Sequence, residues 1–353
     1  MIRRENYLTV RNYLEYRKLI MQRSEETLRM EWIAMKHLLL WADETLFQKA
    51  DSLLPVFPEY MACARRDSGR RDRQQAGQVV PLSPRYQVKI LEHARLFYEW
   101  ARVHDPEYKR VREAWISTLQ VRRSKGAQSR LQKREVWKSE NVHKVADFYW
   151  GADNLKAKRT AFAVVFLFLS GMRAGAFVTL PFECVDLKRR RIEQLPEKGV
   201  HTKNSKAAIT FLLPIPTLLK VVEDWMSSLA EHNNPRMRVW SKLYSSIEAN
   251  RRVYNLSGFD VVRLEEKTGP RVSLLNQDMK ELCDLVGVPF FSPHKLRHGH
   301  GLYGVHHSHN MEELKAVSQN LMHSNIGITD GIYGRLPEDE VSSILSGLTE
   351  ERK

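Results

Sequence analysis

The stretch from Ser292 to Leu336 constrains this chain more than any other. It reads SPHKLRHGHGLYGVHHSHNMEELKAVSQNLMHSNIGITDGIYGRL. Ser292 suits a helix N-cap, and Pro293 suits the first helical position, where a missing N–H costs nothing. A helix is therefore expected from Pro293, with His294 in its first turn. Arg297 comes three residues later, so both side chains share a face. Unpaired N–H groups and the positive end of the helix dipole point out of the same turn. An imidazole and a guanidinium beside such an end make a receptor for a phosphate. Next, Glu312–Met322 carries Leu314, Val317 and Leu321 at helical spacing. His323, a polar turn and Tyr333 in the segment Gly331–Arg335 follow. A phenol is a poor nucleophile at neutral pH unless its anion is stabilised and its target made electrophilic. Two arginines and a histidine around a phosphodiester would do both.

The whole chain carries a matching charge. Its 353 residues hold 56 Lys and Arg against 42 Asp and Glu, a formal net charge of +14, which favours a polyanionic partner, nucleic acid before membrane. The three cysteines, Cys63, Cys184 and Cys283, are far apart and form no C-x-x-C pair, so neither a disulfide framework nor a zinc site is expected. The polar start, MIRRENY, does not resemble a signal peptide. The longest apolar run, Ala161–Met172, is short of the roughly 20 residues a membrane span needs. A cytoplasmic protein is expected.

In chain order, Tyr7–Met21 and Ser24–Trp41 have helical periodicity, the second with Met30, Ile33, Ala34, Leu38 and Trp41 on one stripe. Ala64–Gln78 is basic and aperiodic and reads as a loop, a weak candidate for DNA contact. Ser83–Val103 is again amphipathic through Val88, Leu91, Ala94, Phe97, Tyr98 and Ala101. The first ~120 residues thus read as a small all-α domain, a common size. Gln120–Lys138, rich in Arg, Lys, Ser and Gln, reads as a basic interdomain linker. Helices are expected over Ser139–Trp150, Asn154–Ser170, Pro216–His232 and Ser273–Val286. Three short strands are expected at Arg190–Leu195, Val200–Thr202 and Ala207–Leu213. Asn233–Gly269 has no clear period and reads as an insertion. Pro337–Leu348 presents Val341, Ile344 and Leu348 on one apolar face.

The runs H-K-L-R-H, L-M-H-S-N and I-Y-G-R-L resemble the C-terminal signature of the tyrosine recombinases, or phage-type integrases. S-G-M-R-A-G resembles the family's first arginine motif, with Ala176 where an acidic residue often sits. The resemblance implies a mainly α fold with a small β-sheet. It implies an N-terminal SAM-like helical core DNA-binding domain over residues 1–120 and a basic linker over 121–138. A catalytic domain over 139–353 would end in a C-terminal segment that docks on a neighbouring protomer. The N-terminal part leaves no room for a further arm-binding domain. The family's catalytic lysine lies in a hairpin, which points to Lys203, with Lys206 the alternative. Arg173 and Arg297 would clamp one scissile phosphate and Tyr333 would attack it. Lys203 would protonate the leaving oxygen, His294 would assist proton transfer at the tyrosine, and His323 would hydrogen-bond the phosphate. Arg122, Arg123, Lys125, Arg130, Lys133 and Arg134 are the expected DNA contacts of the linker. The chemistry needs no ATP and no metal cofactor. Expected partners are a double-stranded recombination site, three further copies in a homo-tetramer, and an accessory DNA-bending protein, on a nucleoid-associated enzyme.

Three other readings compete. His294, His298, His300, His306, His307 and His309 suggest a metal site. Yet no H-E-x-x-H occurs, and Arg297 beside His294 would repel a cation. His298 and His300 then belong to packing, as does Tyr303. A non-catalytic DNA-binding regulator would explain the charge, but all six expected site positions are filled. A type IB topoisomerase would share the fold and nucleophile; the apolar segment after Tyr333 favours an assembling recombinase.

Overall fold

The computed structural model describes residues 2–67, 79–120, 135–232, 234–241, 243–245, 256–259 and 268–333. The chain divides into two compact units, residues 1–132 and 133–353.

The first unit is built from α1 (Arg4–Leu19), α2 (Glu25–Ala42), α3 (Phe57–Cys63), α4 (Pro84–His104) and α5 (Glu113–Thr118). Ser24 caps α2 by accepting from the Thr27 N–H at 3.4 Å. The α2 stripe turns inward as its spacing predicts: Ala34, Leu38 and Trp41 are buried, while Met30 and Ile33 are half-buried. From α4, Leu91, Ala94, Phe97, Tyr98 and Ala101 fill the same core, with Val88 half-buried. Glu31 is also fully buried there, held by Arg17 through Nε at 3.0 Å and Nη2 at 2.5 Å. A hydrogen-bonded partner is what makes such burial tolerable. The expected loop Ala64–Gln78 needs correction. Arg65–Asp67 (β1) pairs antiparallel with Val79–Pro81 (β2), and residues 68–78 lie outside the described part. Strands of three residues are too short for periodicity to reveal.

The second unit is organised around α7 (Leu155–Ser170), in which nearly every residue from Ala157 onward is buried. Asn154 caps its start, accepting from the Ala157 N–H at 2.8 Å, and Gly171 ends it at φ +61°. Against α7 pack α6 (Ser139–Gly151), α9 (Pro216–Ala230), α10 (Thr268–Val286) and α11 (Pro293–His306). A short α8 (Ala174–Phe177) leads to the strands β3 (Val185–Asp186), β4 (Arg191–Gln194) and β5 (Ala208–Phe211), which form an antiparallel sheet in that order. Helices α12 (Met311–Asn320) and α13 (Ile326–Tyr333) follow α11. Among the described residues no helix is long and apolar enough to cross a membrane.

Three expectations change here. Val200–Thr202 is not a strand, because its backbone is engaged elsewhere. The Val200 N–H donates to the Leu195 carbonyl at 3.2 Å, and the His201 N–H donates to Thr179 Oγ1 at 2.9 Å. The third strand is Val185–Asp186 instead. Helix α10 starts at Thr268, five residues before the expected Ser273, since Pro270 is tolerated in a first helical turn. Part of Asn233–Gly269 belongs to the core and is no insertion: Met237, Val239 and Trp240 are buried, and the Val239 N–H donates to the Leu180 carbonyl at 3.0 Å. Arg159 and Arg271 lie over the Trp240 ring, 4.4 and 5.2 Å from its centroid. Leu243–Ser245 (β6) and Leu256–Phe259 (β7) pair antiparallel. Pro337–Leu348 lies outside the described residues.

Candidate active site

The site begins where α7 ends. The left-handed Gly171 reverses the chain and Arg173 becomes the N-cap residue of α8, with extended backbone at φ −78°, ψ 144°. Its side chain is half-buried, and it forms no hydrogen bond or ion pair with the described residues. Burial without a carboxylate partner lowers its pKa below the ordinary guanidinium value. Ala176, where an acid was a possible brace, is buried in α8. The turn after α8 is held by another arginine: Arg271 Nε donates to the Val178 carbonyl at 2.8 Å and Nη2 to the Trp240 carbonyl at 2.5 Å.

Helix α11 starts at Pro293 as expected, with Ser292 at the N-cap. The Ser292 side chain makes no capping bond; its carbonyl takes the Lys295 N–H at 2.8 Å. His294 is exposed in the first turn, packed edge-to-face on His298 with ring centroids 4.7 Å apart. Partial burial, then the Arg297 and Arg173 charges, lower the His294 pKa. Arg297 is only 3 % exposed. Its Nη1 donates to the Gly171 carbonyl at 2.7 Å and its Nη2 to the Leu321 carbonyl. One buried guanidinium therefore fastens the end of α7 to the end of α12, two residues before Arg173 and two before His323.

Helix α12 is capped by Asn310, which accepts from the Glu313 N–H at 2.9 Å, while Glu313 takes the His309 N–H at 2.7 Å. This pair resembles a capping box, with the carboxylate reaching one residue beyond the N-cap. After α12 the chain turns through Met322 at φ +52° into His323. The His323 ring is half-buried, with Nδ1 2.8 Å from the buried Thr329 hydroxyl. Burial, then Arg297 and Arg173, push its pKa down to about 4. Tyr333 is the last residue of α13, so a helix carries it, in place of the expected short segment.

Arg173, His294, Arg297 and His323 are thus brought to one place, each histidine feeling both arginines. Lys203 is exposed in the turn Lys203–Ser205 between β4 and β5, where Asn204 and Ser205 have positive φ, and Lys206 is exposed beside it. No described contact ties either lysine to the other four. The side chain of Tyr333 and all of Arg122, Arg123, Lys125, Arg130, Lys133 and Arg134 lie outside the described residues. Sequence reading missed Thr329, which no motif flags. It also missed the two carbonyls that hold Arg297, since backbone acceptors leave no trace in residue types. His300 and Tyr303 pack as expected: His300 is buried, and Tyr303 meets Phe168 edge-to-face at 5.9 Å.

This arrangement gathers two arginines, Arg173 having no partner among the described residues, and two histidines whose pKa values they lower. The fold is that of a tyrosine-type site-specific recombinase. The chain belongs to the phage integrase family, whose sequence model matches residues 135–340. The Tn1549 transposon integrase, solved in complex with transposon right end DNA, superposes with a TM-score of 0.58 at 14 % identity, covering 99 % of each chain. A lambda integrase dimer bound to a COC′ core site gives 0.57 at 10 % identity, covering 94 % of this chain and 97 % of that one. At these identities the likeness is one of fold. No curated protein sequence matches the chain.

Proposed function

We propose that this chain cuts and rejoins double-stranded DNA through a 3′-phosphotyrosyl bond formed at Tyr333. The observation that carries the reading is the convergence of Arg173, His294, Arg297 and His323 at the start of α11. Arg173 and Arg297 bind the non-bridging oxygens of the scissile phosphate. Pre-oriented donors aimed at developing negative charge contribute on the order of several kcal/mol to catalysis. The Tyr333 oxygen attacks phosphorus as the bond to the 5′ oxygen breaks. His294, held neutral, takes the phenol proton, and Lys203 or Lys206 protonates the leaving 5′ oxygen. His323, held through Nδ1 by Thr329, hydrogen-bonds the phosphate. The anion offsets the two arginine charges and raises the pKa of both histidines, which makes His294 a stronger base and favours the protonated, donating form of His323.

The bond energy stays in the phosphotyrosine, so the reaction consumes no ATP and calls for no metal. Attack by a 5′ hydroxyl from a second duplex reverses the step and exchanges strands, and two rounds pass through a Holliday junction. That stoichiometry calls for four protomers, one for each cut strand, on paired sites, with an accessory DNA-bending protein where the sites must be brought together. Residues 1–120 act as the core DNA-binding domain, 121–138 as a basic linker that contacts the backbone, and the segment after Tyr333 as the protomer-docking element. This assigns the enzyme to the nucleoid.

The test is covalent trapping. Nicked duplexes tiled across the DNA flanking the gene are incubated with the protein in EDTA, beside Tyr333→Phe. A protease-sensitive protein–DNA adduct that Tyr333→Phe abolishes supports the reading. An adduct that persists in the variant moves the nucleophile elsewhere.

A further inference from the structure

His300 and Asn320 lie behind the site and take no part in the chemistry above. His300 is 1 % exposed and faces the end of α7. Its Nδ1 is 2.8 Å from the Phe168 carbonyl oxygen, which can only accept, so Nδ1 carries the proton. Nε2 is then an acceptor, and Asn320 Nδ2 reaches it at 3.3 Å. The other Nδ2 hydrogen goes to the Phe211 carbonyl at 3.0 Å, while Asn320 Oδ1 takes the Phe211 N–H at 2.7 Å. Every polar atom of both side chains is therefore used, and each orientation is fixed by the other. The burial that pushes the His300 pKa down to about 4 agrees with the neutral tautomer the geometry requires.

The connections reach every part of the site. Phe168 and Leu169 lie in the last turn of α7, and their carbonyls would be orphans of that turn. His300 caps the first, and the Leu213 N–H, two residues past β5, takes the second at 2.9 Å. The His300 ring lies against Gly171, so closely that a Cβ there would come within 2.7 Å of Cδ2. The Gly171 carbonyl receives Arg297. Asn320 ends α12 three residues before His323, and through Phe211 it closes part of the free edge of β5, the strand that follows the Lys203 turn.

We infer that His300 and Asn320 are a coupled pair of positioning residues that set the spacing of Arg173, Arg297 and His323 for strand cleavage. The inference rests on the recombinase reading. Neither side chain needs to touch DNA. The pair holds the ends of α7, α12 and β5 at fixed distances, and misplacing a reacting group by about 1 Å costs on the order of 100-fold in rate.

Four variants test it: His300→Phe, His300→Gln, Asn320→Leu and the double His300→Phe/Asn320→Leu. Each is assayed for folding by thermal melt, for affinity to the nicked duplex that traps the wild type, and for the single-turnover rate of adduct formation at saturating protein. Glutamine can offer one donor and one acceptor in place of the imidazole; phenylalanine keeps only the aromatic packing on Gly171. The expected result is a rate drop of about tenfold or more for His300→Phe and Asn320→Leu with DNA affinity unchanged. His300→Gln should be faster than His300→Phe, and the double variant no slower than the slower single. Full cleavage rates in folded variants, a phenylalanine variant as fast as glutamine, or losses that multiply in the double variant overturn the coupling. A wild-type protein that forms no adduct on any tile refutes the recombinase reading and the inference together, which separates the two failures.

Discussion

Gly299 gives the sharpest test of how the site is packed. It lies inside α11, between Arg297 and His300, where alanine would normally stabilise a helix by about 1 kcal/mol. Here a Cβ would stand 2.2 Å from the Trp137 carbonyl oxygen and 3.2 Å from the Phe168 ring. Trp137 is itself fixed, fully buried with its Nε1 donating to the Phe291 carbonyl at 3.0 Å. Carbon and oxygen in relaxed contact sit about 3.3 Å apart or more, so Gly299→Ala must open this seam by roughly 1 Å. Overpacking costs about 1 to 3 kcal/mol, and a backbone obstacle belongs at the upper end. Subtracting the helix propensity leaves a loss of roughly 2 kcal/mol. Gly151→Ala is the control: it ends α6 with nothing within 4 Å of its Cβ, so it should be neutral or slightly stabilising. Urea unfolding of both variants measures the difference. The displaced α11 should also slow single-turnover cleavage by on the order of 100-fold. A Gly299→Ala protein as stable as wild type and equally active would refute the packing argument.

The two arginines should separate stability from activity. Arg173→Ala should leave the urea midpoint unchanged or raised while abolishing cleavage, because its guanidinium has no partner among the described residues to lose. Arg297→Ala strips donors from the Gly171 and Leu321 carbonyls, each worth about 1 to 3 kcal/mol when left unsatisfied in the interior, so it should lose both stability and activity. Asp278→Ala removes the carboxylate 2.6 Å from Arg159 Nη2 and leaves a cation that is 3 % exposed without its counter-charge. Urea unfolding should show a loss of about 3 to 5 kcal/mol. Acid should weaken the second unit. His300 and His323 have folded pKa values of about 4, below the ordinary histidine value, so between about pH 6.5 and pH 4 the unfolded chain binds protons that the native state refuses. Stability should fall as pH falls through that window, and His300→Gln should flatten the slope; an unchanged slope would contradict the buried neutral ring.

Much of the scaffold was legible because it obeys local rules. Asn154 and Gly171 bracket α7 as a cap and a left-handed stop, and Pro293 opens α11. The Arg173, His294–Arg297 and His323 motifs name the residues that the fold gathers at the candidate site. What escaped depends on partners distant in sequence. Nothing local marks Arg159, Arg271 and Asp278 as buried, yet they are; Arg159 and Arg271 lie over Trp240, Asp278 pairs with Arg159, and Arg271 holds the turn after α8. Nothing in the sequence pairs Asn320 with His300, and only the fold brings them to Phe211 and Phe168. Val200–Thr202 has the composition of a strand, but Thr179 and Leu195 claim its N–H groups first. Arg297 was expected at the phosphate, and its second task of fastening Gly171 to Leu321 is invisible without the backbone.

The most direct measurement is the chemical identity of the protein–DNA link. The trapped adduct, digested with protease and nuclease, is sequenced by mass spectrometry. The account predicts one modified peptide, with a nucleotide 3′-phosphate on the oxygen of Tyr333, formed equally with and without EDTA. A phosphate on Tyr303 or another residue, or an adduct that EDTA suppresses, would contradict it.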